Sequence, residues 1–348
     1  MKRRLRTSWL IGITAGLVLM MVVSIMLYIN LAGKVRSAAR GEKFDSYYVM
    51  ITEDMDSTFM RSIYESAAKT AKKSNTFVEL MGENLSRRFS KEEYMEMAIA
   101  SSVDGIIVQA DESEKMTELI NRAAAGGIPV VTLFNDNTAS DRCSFVGISN
   151  YNMGCVYGDE INKLLRAKKI SKPVVNVTIL VNSEVDSGQN LTCTAIRDTV
   201  DREIEGNALK CTVEINIVPV DTTNSFSVEE SLRNLFITDK EKVPDIIVCL
   251  EEEETASCYQ AVVDYNKVGT VNILGYFDSQ PILKAIERNV INSTVSVNTG
   301  QLGEFCVTAL DEYHNLGNTS QYFTADLTLI NIENVDEYID IPKDDSAV

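Results

Sequence analysis

The sequence is poor in three kinds of residue on which many functional sites depend. It contains one histidine, His314, and one tryptophan, Trp9, among 348 residues. A single imidazole argues against zinc sites built on several histidines and against histidine-based catalytic triads. Basic residues are also scarce, since 33 Lys and Arg stand against 50 Asp and Glu, giving a formal net charge of −17. Because phosphate binding needs clustered Lys and Arg, this balance argues against nucleic acid as a partner.

Familiar catalytic and metal-binding motifs are absent as well. The sequence has no GxSxG, GxxxxGK[ST] or HExxH motif and no GxGxxG after a predicted strand. The seven cysteines form no CxxC pair, and their odd number and scattered spacing predict buried thiols rather than a disulfide framework. We therefore expect a protein that is not an enzyme and that holds no metal and no cofactor.

What the chain does contain is enough apolar sequence for two cores. Hydrophobic residues make up 45% and charged residues 24%, as in globular proteins. A length of 348 residues is large for one core and suits two lobes. The charge is uneven: residues 1–40 hold seven basic residues and no acid, which leaves a net −24 on residues 41–348. The overall charge thus combines a basic N-terminal segment with an acidic body.

An uncharged apolar segment lies close to the N-terminus. Trp9 to Leu31 comprises 23 residues without a charge, and a helix of that length spans about 35 Å, enough for a bilayer core. Four basic residues precede the segment and three follow it, which modestly favours an inside N-terminus. We predict a cytoplasmic tail (1–8), a transmembrane anchor (9–31), a linker (32–45) and an extracytoplasmic body. The alternative is a cleaved signal peptide, whose apolar region is usually shorter, about 7–15 residues.

The body alternates between short apolar runs and helix-length segments. Such strands between amphipathic helices predict parallel sheets covered on both faces, and two blocks of similar size predict two doubly wound lobes. The predicted strands are Tyr47–Ile51, Phe77–Met81, Gly105–Val108, Pro129–Phe134, Val174–Val181, Thr212–Val218, Asp245–Leu250, Val271–Tyr276, Ile291–Val297 and Tyr322–Ile330. The predicted helices are Thr58–Lys73, Lys91–Ser101, Glu114–Ala125, Asn190–Glu203, Val228–Thr238, Glu254–Asn266, Pro281–Asn289 and Gly300–Asn315.

Polar side chains follow most of these strands. In open parallel sheets ligands bind beyond the carboxyl ends of the strands, where the sequence places Thr52–Phe59, Asn135–Asn137, Gln189 and Asn190, Glu251–Glu254, Asp278 and Asn298. Carboxylates and amides suit hydroxyl-rich ligands, and aromatic rings cover the apolar face of a sugar. Taken singly, each Asp or Asn is better explained as a helix cap or turn residue than as a ligand contact. In the four-Glu run we expect a solvated helix start, with only Glu251 facing the cleft.

The order of these motifs resembles a known family. The stretch PVVTLFNDNTASDRCSFVGISNYNMGCVYGDEI, with DGIIV upstream and ILGYFD downstream, is similar to type I periplasmic sugar-binding proteins of the ribose-binding kind, over residues 44 to about 335. The resemblance implies an α/β fold of two doubly wound parallel-sheet lobes joined by three hinge strands, closing on a sugar. It implies a first lobe of residues 46–148 with 298–326 and a second lobe of residues 149–297 with 327–348.

The resemblance also implies a set of ligand-binding residues. They are Asp56, Ser57, Phe59, Asn135, Asp136, Gln189, Asn190, Glu251, Asp278 and Asn298. The family commonly has an arginine where this chain has Gln189 and Asn190. The absence of that positively charged guanidinium makes the site more acidic.

Several functions remain open at this point. An extracytoplasmic receptor for a sugar or related polyol would signal its closure to a membrane partner, either an ABC sugar permease or a sensor histidine kinase. A transcriptional repressor of the same fold would need a basic helix-turn-helix where this chain has an apolar segment, and we reject it. The alternatives are an enzyme acting on a carbohydrate through cleft carboxylates and a receptor for a cationic small molecule.

Overall fold

A computed structural model describes residues 44–167, 172–182, 187–206, 211–221, 225–237 and 243–339. The predicted anchor, residues 9–31, and the linker up to residue 43 lie outside this range. No helix within the described ranges is both long enough and apolar enough to span a bilayer. The chain divides into two units, Met1–Asp45 and Ser46–Val348, and all the elements below belong to the second.

The first sheet has six parallel strands in the order β11-β5-β4-β3-β1-β2. Its strands are β1 (Ser46–Ile51), β2 (Thr76–Leu80), β3 (Gly105–Val108), β4 (Val130–Leu133), β5 (Ser144–Gly147) and β11 (Tyr322–Thr324). The helices that connect or cover it are α1 (Thr58–Ala71), α2 (Lys91–Ala100), α3 (Glu114–Ala125) and α9 (Thr299–Leu316). β1, β3 and β4 are buried almost throughout, which explains why they are apolar runs without a polar alternation.

The second sheet repeats this plan in the order β12-β10-β9-β8-β6-β7. Only β12 runs antiparallel to its neighbour, β10. Its strands are β6 (Val174–Asn182), β7 (Thr212–Val220), β8 (Ile246–Val248), β9 (Asn272–Tyr276), β10 (Ser293–Val297) and β12 (Leu327–Asn331). Its helices are α4 (Asn150–Arg166), α5 (Ser187–Glu205), α6 (Ser225–Ile237), α7 (Glu252–Asp264) and α8 (Gln280–Glu287). The predicted two-lobe α/β fold with parallel sheets is therefore confirmed.

Close helix contacts at glycine hold each lobe together. Gly303 of α9 lies against the backbone of α1 at Ile63 and Ala67, and Gly154 of α4 lies against the backbone of α5 at Thr192. A Cβ atom at either glycine would overlap the facing helix. The absence of a side chain therefore sets how closely these helix pairs pack.

The chain passes between the two sheets at three places, which we call the crossings. The first crossing, residues 148–149, leads from β5 to α4; the second, Asn298, leads from β10 to α9; the third, Ala325 and Asp326, leads from β11 to β12. The sequence predicts one strand, Tyr322–Ile330, at the third crossing, and this is wrong. The run is divided because Tyr322–Thr324 pairs with β5 of the first sheet and Leu327–Asn331 pairs with β10 of the second.

Helix α4 is a second difference, because the sequence patterns do not predict it. Its start is nonetheless well defined, since the Ser149 hydroxyl accepts the backbone N–H of Asn152 at 3.2 Å.

A full capping box opens α2, where Ser90 and Glu93 exchange side-chain-to-backbone hydrogen bonds of 3.2 and 2.9 Å.

Candidate functional site

An aromatic cluster joins the strand ends of the two sheets. Phe59, at the start of α1, packs edge-on against Phe134 after β4, with ring centroids 5.3 Å apart. The same ring contacts Phe277, after β9, at 5.2 Å and Tyr276 at 5.9 Å. Because Phe59 and Phe134 follow strands of the first sheet and the other two rings lie at the end of β9 in the second sheet, these contacts join the strand ends of the two lobes.

Two of these aromatic residues share an unusual backbone conformation. Phe134 has φ +65° and Phe277 has φ +70°, a left-handed region that costs about 1–3 kcal/mol for such residues. They occupy matching positions: each follows the fourth strand of its block and donates its backbone N–H to the adjacent strand, at Val146 and Val295 respectively, over 2.8 Å. Strain of this kind concentrates at functional sites. Its repetition at matching strand ends of both lobes makes these two positions candidates for the functional site.

In the first lobe, the carboxylate of Asp136 is fully engaged by its own neighbours. Arg142 donates a hydrogen bond to each oxygen: Nη2 lies 2.6 Å from Oδ2, and Nε donates to Oδ1. The Thr132 hydroxyl and the Asn137 backbone N–H also donate to Oδ1, each at 2.8 Å. Asp136 therefore fixes the turn that carries half-buried Asn135.

Arg142 extends this arrangement to β11. Its guanidinium lies 5.0 Å from the ring centroid of Tyr322 and donates to the Gln321 carbonyl at 3.2 Å. Burial disfavours its charge, but the hydrogen bonds to Asp136 outweigh burial and raise the pKa of Arg142. The ion pair is largely enclosed, with side-chain exposures of 8% for Arg142 and 18% for Asp136.

The remaining predicted residues of the first lobe lie toward the surface. Asp56 is exposed and pairs with Arg88 at 2.5 Å. Ser57 is half-buried at the start of α1, and its side chain makes no capping bond. Only Phe59 of this segment reaches the aromatic cluster.

Sequence reasoning overlooked Gln109 at the end of β3, and it placed Thr52 at the end of β1 without including it among the ligand-binding residues. Gln109 follows β3 and accepts the backbone N–H of Glu53 at 3.0 Å. Thr52 follows β1, and its buried hydroxyl has no hydrogen-bond partner among the described residues. The strand-end rule that selected the other candidates would have found Gln109, because it directly follows the GIIV run.

In the second lobe, two predicted residues are brought into contact. The Gln189 side chain accepts the backbone N–H of Asn182 at 2.8 Å and donates to the Glu251 carboxylate at 3.3 Å. Gln189 thereby links the end of β6 to the start of α7. Asn190 is next to it on α5 and is exposed.

Acidic groups surround the buried phenol of Tyr276. Asp278 is half-buried just after Phe277, and none of the described side chains pairs with its carboxylate. Burial, followed by the charges of Glu251, Glu252 and Asp278, raises the pKa of Tyr276 well above its usual value. The Tyr276 hydroxyl is buried and has no hydrogen-bond partner among the described residues. These groups lie around the end of β9 and the start of α7.

Glu254 corrects one expectation about the four-Glu run. It is not solvated but fully buried, because the first turn of α7 directs it back to the end of β8, where Oε2 accepts the Leu250 backbone N–H at 3.0 Å. Oε1 lacks a hydrogen-bond partner in the described structure. Burial and the nearby Glu251 raise the pKa of Glu254 to about 8. Glu251 to Glu253 remain half-buried.

Asn298 directly follows β10 at the second crossing. Its side chain accepts the backbone N–H of Gln301 at 3.0 Å and caps α9. Of the ten predicted residues, Phe59 therefore meets the cluster, Gln189 meets Glu251, and Asp278 and Glu251 flank Tyr276. Within the described residues, no group of His, Cys, Asp or Glu is arranged to hold a metal ion.

The sequence of residues 48–318 matches the family described as periplasmic binding protein domain. The chain belongs to this family. Its solved relatives of similar fold are type I sugar-binding proteins. Among curated proteins, none has a sequence that matches this chain.

Solved structures resemble the whole body of the chain. A glucose-galactose binding protein, GanP from Geobacillus stearothermophilus, has a TM-score of 0.72 at 19% identity over 86% of this chain and 100% of its own. The XylFII-LytSN complex has a TM-score of 0.68 at 21% identity over 84% of this chain and 99% of the other. An ABC transporter solute-binding protein from Burkholderia graminis, in complex with D-arabinose, has 0.72 at 15% identity over 86% and 99%. At these identities the likeness establishes the fold.

Proposed function

We propose that this protein is an extracytoplasmic receptor that closes its two lobes around a sugar or related polyol. The observation that carries the proposal is the aromatic cluster around Phe59, which joins strained strand ends of both lobes. An aromatic wall beside amide and carboxylate groups suits a ligand with an apolar ring face and many hydroxyls. Relatives of the same fold bind glucose, galactose and D-arabinose.

Within this proposal we assign each predicted residue a role in ligand binding. Phe59 covers the apolar ring face, while Gln189, Glu251 and Asp278 bond hydroxyls from the second lobe and Asn135 does so from the first. Asp136 orients Asn135, because its own oxygens are held by Arg142. Asp56, Ser57, Asn190 and Asn298 contribute at the cleft margin and the crossings. We divide the lobes at residues 46–148 with 298–326 and 149–297 with 327–348.

We further propose that residues 9–31 anchor the receptor in the membrane, with the body outside and the linker 32–45 holding it near one membrane complex. The supporting feature is the uncharged run of 23 residues flanked by basic residues. The partner that responds to closure is either an ABC permease or a sensor histidine kinase. Both have support, since one similar protein belongs to an ABC transporter and another forms the XylFII-LytSN complex.

A cationic ligand is a second candidate, and the half-buried Asp278 favours it. This carboxylate has no basic partner in the described structure, so an ammonium group would relieve an uncompensated negative charge. A sugar that carries an amino group is both a sugar and a cationic ligand, so it satisfies both candidates. The enzyme alternative has no comparable support, because two of the similar proteins named above are a glucose-galactose binding protein and an ABC transporter solute-binding protein.

Thermal unfolding of the full chain in detergent, with a panel of pentoses, hexoses, polyols and amino sugars, tests the proposal. We expect at least one compound to raise the melting temperature, and we expect Phe59→Ala to abolish that shift. Phe77→Ala is the matched control, because Phe77 is an aromatic residue with 40% exposure on β2. Stabilisation by amines alone selects the cationic candidate. If no compound in the panel raises the melting temperature, both the sugar candidate and the cationic candidate are contradicted.

Turnover of a bound sugar would revive the enzyme alternative. Its signature is a pair of variants, Asp136→Asn and Asp278→Asn, that keep ligand binding but lose product formation. The receptor proposal expects no product at all, as checked by chromatography of the recovered ligand.

A further inference from the structure

The three crossings lie side by side and are joined by backbone hydrogen bonds. Ala325 of the third crossing donates its N–H to the carbonyl of Gly147, next to the first crossing, at 2.9 Å. Asn298 of the second crossing donates its N–H to the carbonyl of Asp326 at 3.0 Å. The third crossing therefore lies between the other two, and any change of angle between the lobes must rotate these few residues.

One side-chain pair bridges the second and third crossings. Gln301 Nε2 donates to Asp326 Oδ2 at 2.8 Å, and the backbone N–H of Asp326 donates to Gln301 Oε1, also at 2.8 Å. Gln301 lies in the first turn of α9, which packs on α1 of the first lobe, whereas Asp326 directly precedes β12 of the second sheet. The two reciprocal bonds thus span the hinge.

In the present arrangement, which we call closed, aromatic side chains of the two lobes are in contact. Phe59 of the first lobe contacts Phe277 and Tyr276 of the second across the cleft. Both Gln301–Asp326 bonds are formed in this arrangement. Because a planar amide bonds a carboxylate and a backbone N–H at the same time, a rotation at Asp326 breaks at least one of the two bonds.

We infer that Gln301 and Asp326 are positioning residues that form a hinge clamp and favour the closed arrangement. Neither is a strand-end residue, so they act on ligand affinity through the fraction of molecules that are closed. The apparent dissociation constant rises in proportion as that fraction falls. This consequence for affinity rests on the proposed function, whereas the clamp itself is tested without ligand.

Single-molecule energy transfer on the full chain in detergent, with no sugar added, tests the clamp. Dyes are attached through ketone-bearing unnatural residues at the exposed positions Glu118 on α3 and Glu229 on α6, which leaves the seven cysteines untouched. Gln301→Met keeps the length of the side chain but removes both bonds. We expect the ratio of open to closed molecules to rise by about 5- to 10-fold.

Three further variants separate a clamp from a local stabilising contact. Glu93→Ala removes the side-chain half of the reciprocal pair at the capping box of α2, the bond from the Ser90 backbone N–H, away from the crossings, and we expect unchanged populations. Gln301→Glu sets two carboxylates against each other and should open the lobes further. Adding Asp326→Asn to Gln301→Glu restores a carboxylate facing one amide and one backbone N–H, so we expect the closed population to return.

Unchanged populations in both Gln301→Met and Gln301→Glu would overturn the clamp. An equal opening in Glu93→Ala, or no recovery in the double variant, would overturn it as well. Failure of the sugar panel contradicts the proposed function and leaves this ligand-free result standing, so the two failures are distinguishable.

Discussion

The two lobes share one strand order but differ in how they pair the acidic side chains that follow their strands. In the first lobe these acids have basic partners: Arg142 holds Asp136, Lys91 lies 3.2 Å from Asp111, and Arg88 lies 2.5 Å from Asp56. In the second lobe, Glu254 is fully buried with one oxygen lacking a partner among the described residues, and Asp278 has no basic partner there. The first lobe thus pairs these acids with basic side chains, whereas the second lobe leaves Asp278 without a basic partner among the described residues.

The contrast predicts its largest effect at the buried ion pair of the first lobe. Arg142→Ala leaves Asp136 enclosed without its counter-ion, so we expect the free energy of unfolding to fall by about 3–5 kcal/mol. Arg88→Ala is the matched control, because its pair with Asp56 is exposed, at 59% and 67%, and should cost at most about 1 kcal/mol. Urea unfolding of each variant measures both values. Equal costs would show that the enclosure of the first pair is irrelevant.

The second lobe should lose stability as the pH rises, because of Glu254. Its pKa in the folded protein is about 8, above the ordinary value of 4.5, so the folded state binds more protons between these values. The free energy of unfolding therefore decreases with pH across this window, by up to about 1.4 kcal/mol per pH unit. Glu254→Gln, which is neutral at every pH, should remove this decrease in urea titrations between pH 5 and 8. A slope that persists in the variant would contradict the assignment to Glu254.

Two buried tyrosines of the second lobe should respond with opposite signs. The Tyr276 hydroxyl lacks a partner among the described residues, whereas the Tyr157 hydroxyl donates to the carbonyls of Gly275 at 2.9 Å and Cys249 at 3.2 Å. We expect Tyr276→Phe to leave the melting temperature unchanged or raise it, because a desolvated hydroxyl costs about 1–3 kcal/mol. Tyr157→Phe should lower it, since a satisfied hydrogen bond contributes about 0.5–1.5 kcal/mol. Destabilisation by both variants would show that Tyr276 has a partner in solution.

The smallest effect is expected at Asp111 in the first lobe, with a pH dependence opposite to that of Glu254. Burial raises the pKa of Asp111, but hydrogen bonds from Ser113 and the charge of Lys91 outweigh burial and lower it. Its contribution to stability is present above the ordinary pKa and is lost as the pH falls through the lowered value. Asp111→Asn should therefore flatten the acid side of the stability profile and leave the side between pH 5 and 8 unchanged.

Most of the fold was predictable because parallel strands buried on both faces are short continuous apolar runs. The runs GIIV and YYVMI coincide with β3 and β1 within one residue. The division of the run Tyr322–Ile330 was not predictable, because both halves satisfy the same strand pattern and only the pairing partners differ. Long-range pairing is not encoded in local periodicity.

The site was predictable at the level of strand ends but not of individual roles. Asp136 follows a strand as expected, yet its carboxylate is held by Arg142, which in turn packs on Tyr322, distant in sequence. Glu254 belongs to an acidic run whose sequence predicts exposed side chains. Its burial depends on the direction in which α7 follows β8. Such roles follow from three-dimensional contacts that residue types and spacings leave open.

The receptor account makes its central claim about Phe59 and the ligand that it covers. Calorimetric titration of the full chain in detergent with D-glucose, D-galactose, D-xylose, D-arabinose and D-glucosamine tests that claim most directly. The account predicts binding of one molecule per chain for at least one of these compounds, lost in Phe59→Ala and retained in Phe77→Ala. The absence of binding for every compound, or binding that survives Phe59→Ala unchanged, would contradict it.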